Sequence, residues 1–101
     1  MFAKLYRMSE YQITKRQEQN ATRENVIIFP SDKKNKKLDV YDSRGIYMFP
    51  IGDIRYKDFD MYLKEKGKEY ADKRRQLYKI RHEKYRHIKG TPSYYADRIL
   101  W

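Results

Sequence analysis

Residues 26–53 read VIIFPSDKKNKKLDVYDSRGIYMFPIGD, and this stretch decides the fold class. Val26-Ile27-Ile28-Phe29 is a β-branched and aromatic run stopped by Pro30, the pattern of a short strand. Ser31 to Lys37 carries lysines, an Asp and an Asn, and reads as an exposed turn. Leu38-Asp39-Val40-Tyr41 then alternates apolar with polar, and Asp42-Ser43-Arg44-Gly45 has the chemistry of a second turn. Ile46 to Ile51 resumes as a strand that Gly52-Asp53 ends. Three such runs predict a three-stranded antiparallel meander, or a hairpin with one edge strand. Pro30 and Pro50 then belong at strand ends or on an edge, where a missing N–H costs no ladder bond.

On either side of this stretch the period becomes helical. Asp58 stands where an N-cap would, before Phe59-Asp60-Met61-Tyr62-Leu63, and Gly67 breaks or kinks the helix. Lys68 to Lys89 is the longest helical pattern, closed by Gly90. Thr91 and Pro92 fit the N-cap and first position of a short last helix, Tyr94 to Trp101, whose Ile99, Leu100 and Trp101 would close the core. Before the strands, Phe2, Leu5, Tyr6, Ser9 and Ile13 recur at helical spacing and predict a helix within 1–24. The expected architecture is therefore α+β. A small antiparallel sheet of two or three strands, a long basic helix and a short C-terminal helix form a domain over 25–101. Residues 1–24 form an N-terminal helical arm that would bind a partner, whether it folds by itself or only against that partner.

Composition narrows the function. The 101 residues hold 24 Lys and Arg against 14 Asp and Glu, a formal net charge of +10, with no Cys, eleven Tyr and four Phe. No disulfide, thiolate metal site or cysteine nucleophile is available. No apolar run reaches the length of a membrane span. Met1-Phe2-Ala3-Lys4 leads into no signal-like apolar stretch, and Phe2 excludes myristoylation. The charge calls for an acidic partner.

That charge is concentrated. Residues 73–89 contain eight Lys or Arg and one Glu. At about 100° per residue, Tyr70, Leu77, Tyr78, Tyr85 and Ile88 share one sector, which reads as the core stripe. Lys68, Arg75, Lys79, His82, Arg86 and Lys89 share the next and read as a cationic strip. Arg74 and Arg81 fall inside the apolar sector, where they would have to snorkel or pair. Such a strip suits nucleic-acid phosphates, whose neutralisation releases counterions. It equally suits an acidic protein surface, or a solvated face with i,i+4 partners. The strip predicts that reversing Arg75, Lys79 and Arg86 removes DNA binding and leaves the fold intact. The tyrosines read chiefly as a half-buried core; the alternative for those on an exposed sheet is base stacking.

No enzyme constellation is complete. Arg44-Gly45-Ile46-Tyr47-Met48-Phe49 echoes an RNA-recognition strand, but Met48 fills its small position and Pro50 cuts it short. Gly45-Ile46-Tyr47 resembles the start of a small nuclease motif whose second half is missing. His82 and His87, five apart, face different ways, and metal pairs on a helix want a spacing of four or three. Asp53, Asp58 and Asp60 could bind Mg²⁺ but fit a turn and caps better. The expectation is a non-enzymatic protein with no metal and no cofactor.

Finally, Lys36-Lys37-Leu38, Gly45, Phe49-Pro50-Ile51-Gly52, Tyr56-Lys57-Asp58-Phe59, Arg81-His82, Thr91-Pro92-Ser93 and Ile99-Leu100-Trp101 succeed one another in order. Over about 36–101 this resembles a small uncharacterised domain family of nucleocytoplasmic giant DNA viruses and tailed phages. The resemblance implies a viral origin and no settled activity. The function expected from it is a minor structural protein of the virion, located in the particle or otherwise in the host cell interior. It would bind neighbouring capsid proteins and, through the basic helix, the genome. The alternative is a small sequence-nonspecific nucleic-acid-binding protein acting outside the particle.

Overall fold

The computed structural model describes residues 11–101, which form an α+β protein with a three-stranded antiparallel sheet and four helices. Two compact units divide the chain, one up to Arg55 and one from Tyr56. The boundary thus falls after the sheet, and the first described helix lies in the same unit as the strands.

In the first unit, α1 spans Lys15–Arg23. Of the helix expected within 1–24, residues 1–10 lie outside the described residues and 11–14 are not helical. The helix starts late because Thr14 and Gln17 make a reciprocal cap. Thr14 Oγ1 accepts from the Gln17 N–H at 3.1 Å, and Gln17 Oε1 accepts from the Thr14 N–H at 3.0 Å. Gln17 also donates from Nε2 to the Tyr11 hydroxyl at 2.6 Å, so this buried amide is well satisfied. Asn25, at φ 62°, turns the chain from α1 into the sheet against which the helix packs.

The strands are β1 (Val26–Pro30), β2 (Lys36–Asp42) and β3 (Tyr47–Asp53), in the order β1-β2-β3. Ile28 pairs with Val40 and Val40 with Phe49; Pro30 pairs with Leu38 and Leu38 with Ile51. Period-2 alternation puts Val26, Ile28, Leu38, Val40 and Ile51 on one buried face. Both prolines sit on edge strands. At the β2–β3 turn the Asp42 carboxylate accepts from the N–H groups of Arg44 and Ile46, each at 2.9 Å. The bond from Ile46, and then that from Arg44, hold its pKa below the usual carboxylate value. Gly45 supplies the φ of 84° that the turn requires. The β2–β3 ladder has one irregularity: Val40 pairs with Phe49 but Tyr41 with Tyr47, so Met48 is the extra residue of a bulge.

In the second unit, α2 spans Phe59–Lys66 and α3 Lys68–Arg81, packed on one another. Asp58 caps α2, accepting from the Met61 N–H at 3.2 Å. Gly67 ends α2 and opens α3 at φ 92°, ψ 175°. No atom crowds this position, so it is the backbone angle that demands glycine. α4 spans Pro92–Tyr95, with the Thr91 hydroxyl accepting from the Tyr94 N–H, and Ala96–Leu100 continues as a π-helical turn. Phe59, Ala71, Tyr78, Tyr94, Tyr95, Ile99 and Leu100 are buried.

The expected helix from Lys68 to Lys89 stops at Arg81; residues 82–90 are successive turns. Trp101 is half-buried rather than central, stacked on Tyr78 with centroids 4.5 Å apart and planes 13° apart. Trp101→Ala is accordingly expected to cost about 2–3 kcal/mol, from partial burial plus the stack. Urea unfolding read by circular dichroism checks this, and a loss below about 1 kcal/mol would leave the ring without structural weight.

Candidate nucleic-acid interface

The two sides of α3 are exchanged relative to the sequence expectation. Ala71 and Tyr78 define its buried side. Of the five residues expected in the core stripe only Tyr78 is buried; Tyr70, Leu77, Tyr85 and Ile88 are exposed. The inward side instead carries much of the expected cationic strip. The Arg75 guanidinium lies 3.7 Å from the Phe59 ring centroid. His82 sits 4.2 Å from the Tyr78 ring. Burial, and then the charge of Arg81, push the His82 pKa below the usual histidine value.

Lys79 and Arg86 converge on Asp97, a carboxylate that is 1% exposed. Lys79 Nζ donates to Oδ1 at 2.8 Å, and Arg86 Nη1 lies 3.5 Å from Oδ2. On a continuous helix residues 79 and 86 would be about 10.5 Å apart along the axis. The turns after Arg81 bring Arg86 back to the same carboxylate. The Tyr78 hydroxyl, beside this charge, has its pKa pushed up to about 12, chiefly by burial. Arg86 also donates from Nε to Glu83 at 3.0 Å, and His87 Nε2 lies 2.9 Å from the other Glu83 oxygen. These bonds, His87 first, lower the Glu83 pKa. Of the remaining strip residues, Lys68 is exposed and bonded to Asp72 at 2.6 Å, and Lys89 is exposed among the turns. The six therefore do not form one continuous surface.

The outward side of α3 carries Tyr70, Lys73, Leu77, Ile80 and Arg81, with Arg74 at its margin against the Tyr62 ring. Lys84 and Lys89 come next, in the turns. Among the described residues, no carboxylate comes within ion-pair distance of the side-chain nitrogens of Lys73, Arg74, Arg81, Lys84 or Lys89. The signal for this side was present in the sequence: Arg74 and Arg81 intrude into the supposed apolar stripe because that stripe faces water. A groove of about 580 Å³ beside α3 offers no clean anion pocket, since Asp72 and Glu83 share its walls with Arg75, Lys79 and Arg86.

The first unit presents a second surface on the other face of its sheet. Phe29, Tyr41 and Tyr47 form an edge-to-face row, with centroids 5.6 and 5.5 Å apart. Phe29 is 55% and Tyr47 41% exposed, with exposed Ile27 beside them. Lys33 reaches onto this face: its Nζ donates to Asp39 Oδ2 at 3.0 Å and stands 4.5 Å from the Tyr47 ring centroid. The bond to Asp39 raises the Lys33 pKa. Asp39 is buried, and its Oδ1 has no hydrogen-bond partner among the described residues. Lys37, also buried, lies 5.3 Å from the Tyr11 ring centroid.

The carboxylates weighed as cation ligands have local roles. Asp53 accepts from the Arg55 side chain and N–H, which lowers its pKa, and Asp58 caps α2. Among the described residues no group of three His, Cys, Asp or Glu is placed to hold a metal ion. No described helix is long and apolar enough to cross a membrane. The resemblance to the viral and phage family rests on the residues quoted for it, because comparison with protein-family models, curated proteins and solved structures finds no match.

Proposed function

We propose that this chain is a non-enzymatic nucleic-acid-binding protein that holds the phosphate backbone without reading base sequence. The observation that carries this reading is the set Lys73, Arg74, Arg81, Lys84 and Lys89. These cations have no carboxylate within ion-pair distance among the described residues, in a chain of net charge +10. A cation already neutralised by a carboxylate gains little from a phosphate; an unpaired one releases the phosphate's counterion. Titration of random-sequence duplex DNA by fluorescence anisotropy, at several salt concentrations, tests the proposal. A slope of log K against log salt of about −4 or steeper is expected, one cation per phosphate neutralised. No binding at low salt would overturn it.

A second reading is a minor structural protein of a viral particle, found in the virion or in the infected cell. It is favoured by the exposed Leu77, Ile80, Tyr85 and Ile88 beside the same cations, since exposed apolar side chains grouped this way suit a protein neighbour. The two readings are compatible, because a genome-facing capsid component does both. Recovery of the chain from purified particles supports the second; its absence from them removes it.

A further inference from the structure

We infer that the open face of the β-sheet is a second nucleic-acid site, one that takes unpaired bases by stacking them on Phe29 and Tyr47. The inference rests on the nucleic-acid reading above but on different residues and a different unit. Aromatic side chains are costly to leave in water, yet Phe29, Tyr41 and Tyr47 form a contiguous row across three strands with its outer rings open. Ring faces held by a rigid sheet are what successive bases of a single strand stack on, and such stacking tolerates any base.

The surroundings select a polyanion over an apolar partner. Exposed Lys34 stands at the β1–β2 turn and exposed Arg44, 3.8 Å from Asp42, at the β2–β3 turn, so one cation stands at each end of the sheet. Lys33 reaches the middle, its charge balanced by Asp39 and its ammonium beside the Tyr47 ring. A duplex cannot use this surface, because its bases already stack on one another.

The test is anisotropy titration of the whole protein with a labelled single strand of about 12 nucleotides, a length within the range that such surfaces cover. An abasic strand of equal length and a duplex serve as comparisons. Phe29→Leu and Tyr47→Leu keep apolar bulk on the sheet and remove the ring. Each is expected to weaken single-strand binding about 5- to 150-fold, as loss of one base–ring stack does, and to leave duplex binding unchanged. The abasic strand should lose affinity to a similar degree on the unaltered protein.

Single-strand affinity that is unchanged in both variants, or equal for the abasic strand, overturns the inference while the backbone reading stands. Ring-dependent single-strand binding without duplex binding does the reverse. A concentration-dependent dimer that the two substitutions dissolve would assign the face to a second copy of the chain and overturn the inference as well.

Discussion

Asp97→Ala is expected to destabilise the second unit by about 3–5 kcal/mol, the cost of removing one member of a buried ion pair and leaving its partners uncompensated. Asp97 is 1% exposed, and the Arg86 side chain that faces it is 18% exposed. Without the carboxylate, Arg86 and Lys79 would be two like charges held close together where water reaches them poorly. Urea unfolding followed by fluorescence of the single tryptophan reports on this unit directly, because Trp101 stacks on Tyr78 within it. Lys79→Met should cost much less, about 1 kcal/mol: the lysine is partly exposed and Arg86 still pairs with Asp97. A loss below about 1 kcal/mol for Asp97→Ala would mean that water solvates the cluster freely. The same cluster bears on tests of DNA binding. Reversing Arg75, Lys79 and Arg86 together, the obvious choice from sequence, would put three carboxylates beside Phe59 and Asp97. Loss of DNA binding in that variant would reflect unfolding.

Where local chemistry decides, sequence reading finds the structure. Pro30, the Asp42–Gly45 turn, the Asp58 cap, Gly67 and the Thr91-Pro92 start all act within a few residues of themselves, and each does what its residue type suggests. The capping box at Thr14 and Gln17 is equally local, but apolar spacing that runs on before it masks it. The end of α3 is not local. Neither Gly nor Pro stands at position 82, and the chain turns there while Lys79 and Arg86 meet a carboxylate far along the sequence.

The inverted sides of α3 have the same origin. A hydrophobic stripe marks a core only if the interior is apolar. Here the interior offers the Phe59 ring face to the Arg75 guanidinium and the buried Asp97 carboxylate to Lys79 and Arg86, and each makes an inward cation favourable. Two charged residues on the presumed inner side, Arg74 and Arg81, were the sequence signal against that assignment.

If the outward cations carry binding, neutralising them should change the salt dependence without touching the fold. Lys73→Gln, Arg81→Gln and Lys84→Gln in one chain are expected to make the slope of log K against log salt shallower by about 3, one unit for each phosphate no longer neutralised. Their stability cost should stay within about 0.5 kcal/mol per site, because the three side chains point outward and none holds a carboxylate among the described residues. The slope is the decisive readout, since lower affinity alone could come from any damage, whereas a shallower slope counts ions. A variant that binds more weakly at an unchanged slope would place the phosphate-holding cations elsewhere. With binding and slope both unchanged, the outward side of α3 would have no part in holding nucleic acid, and its exposed Leu77 and Ile80 would point to a protein neighbour instead.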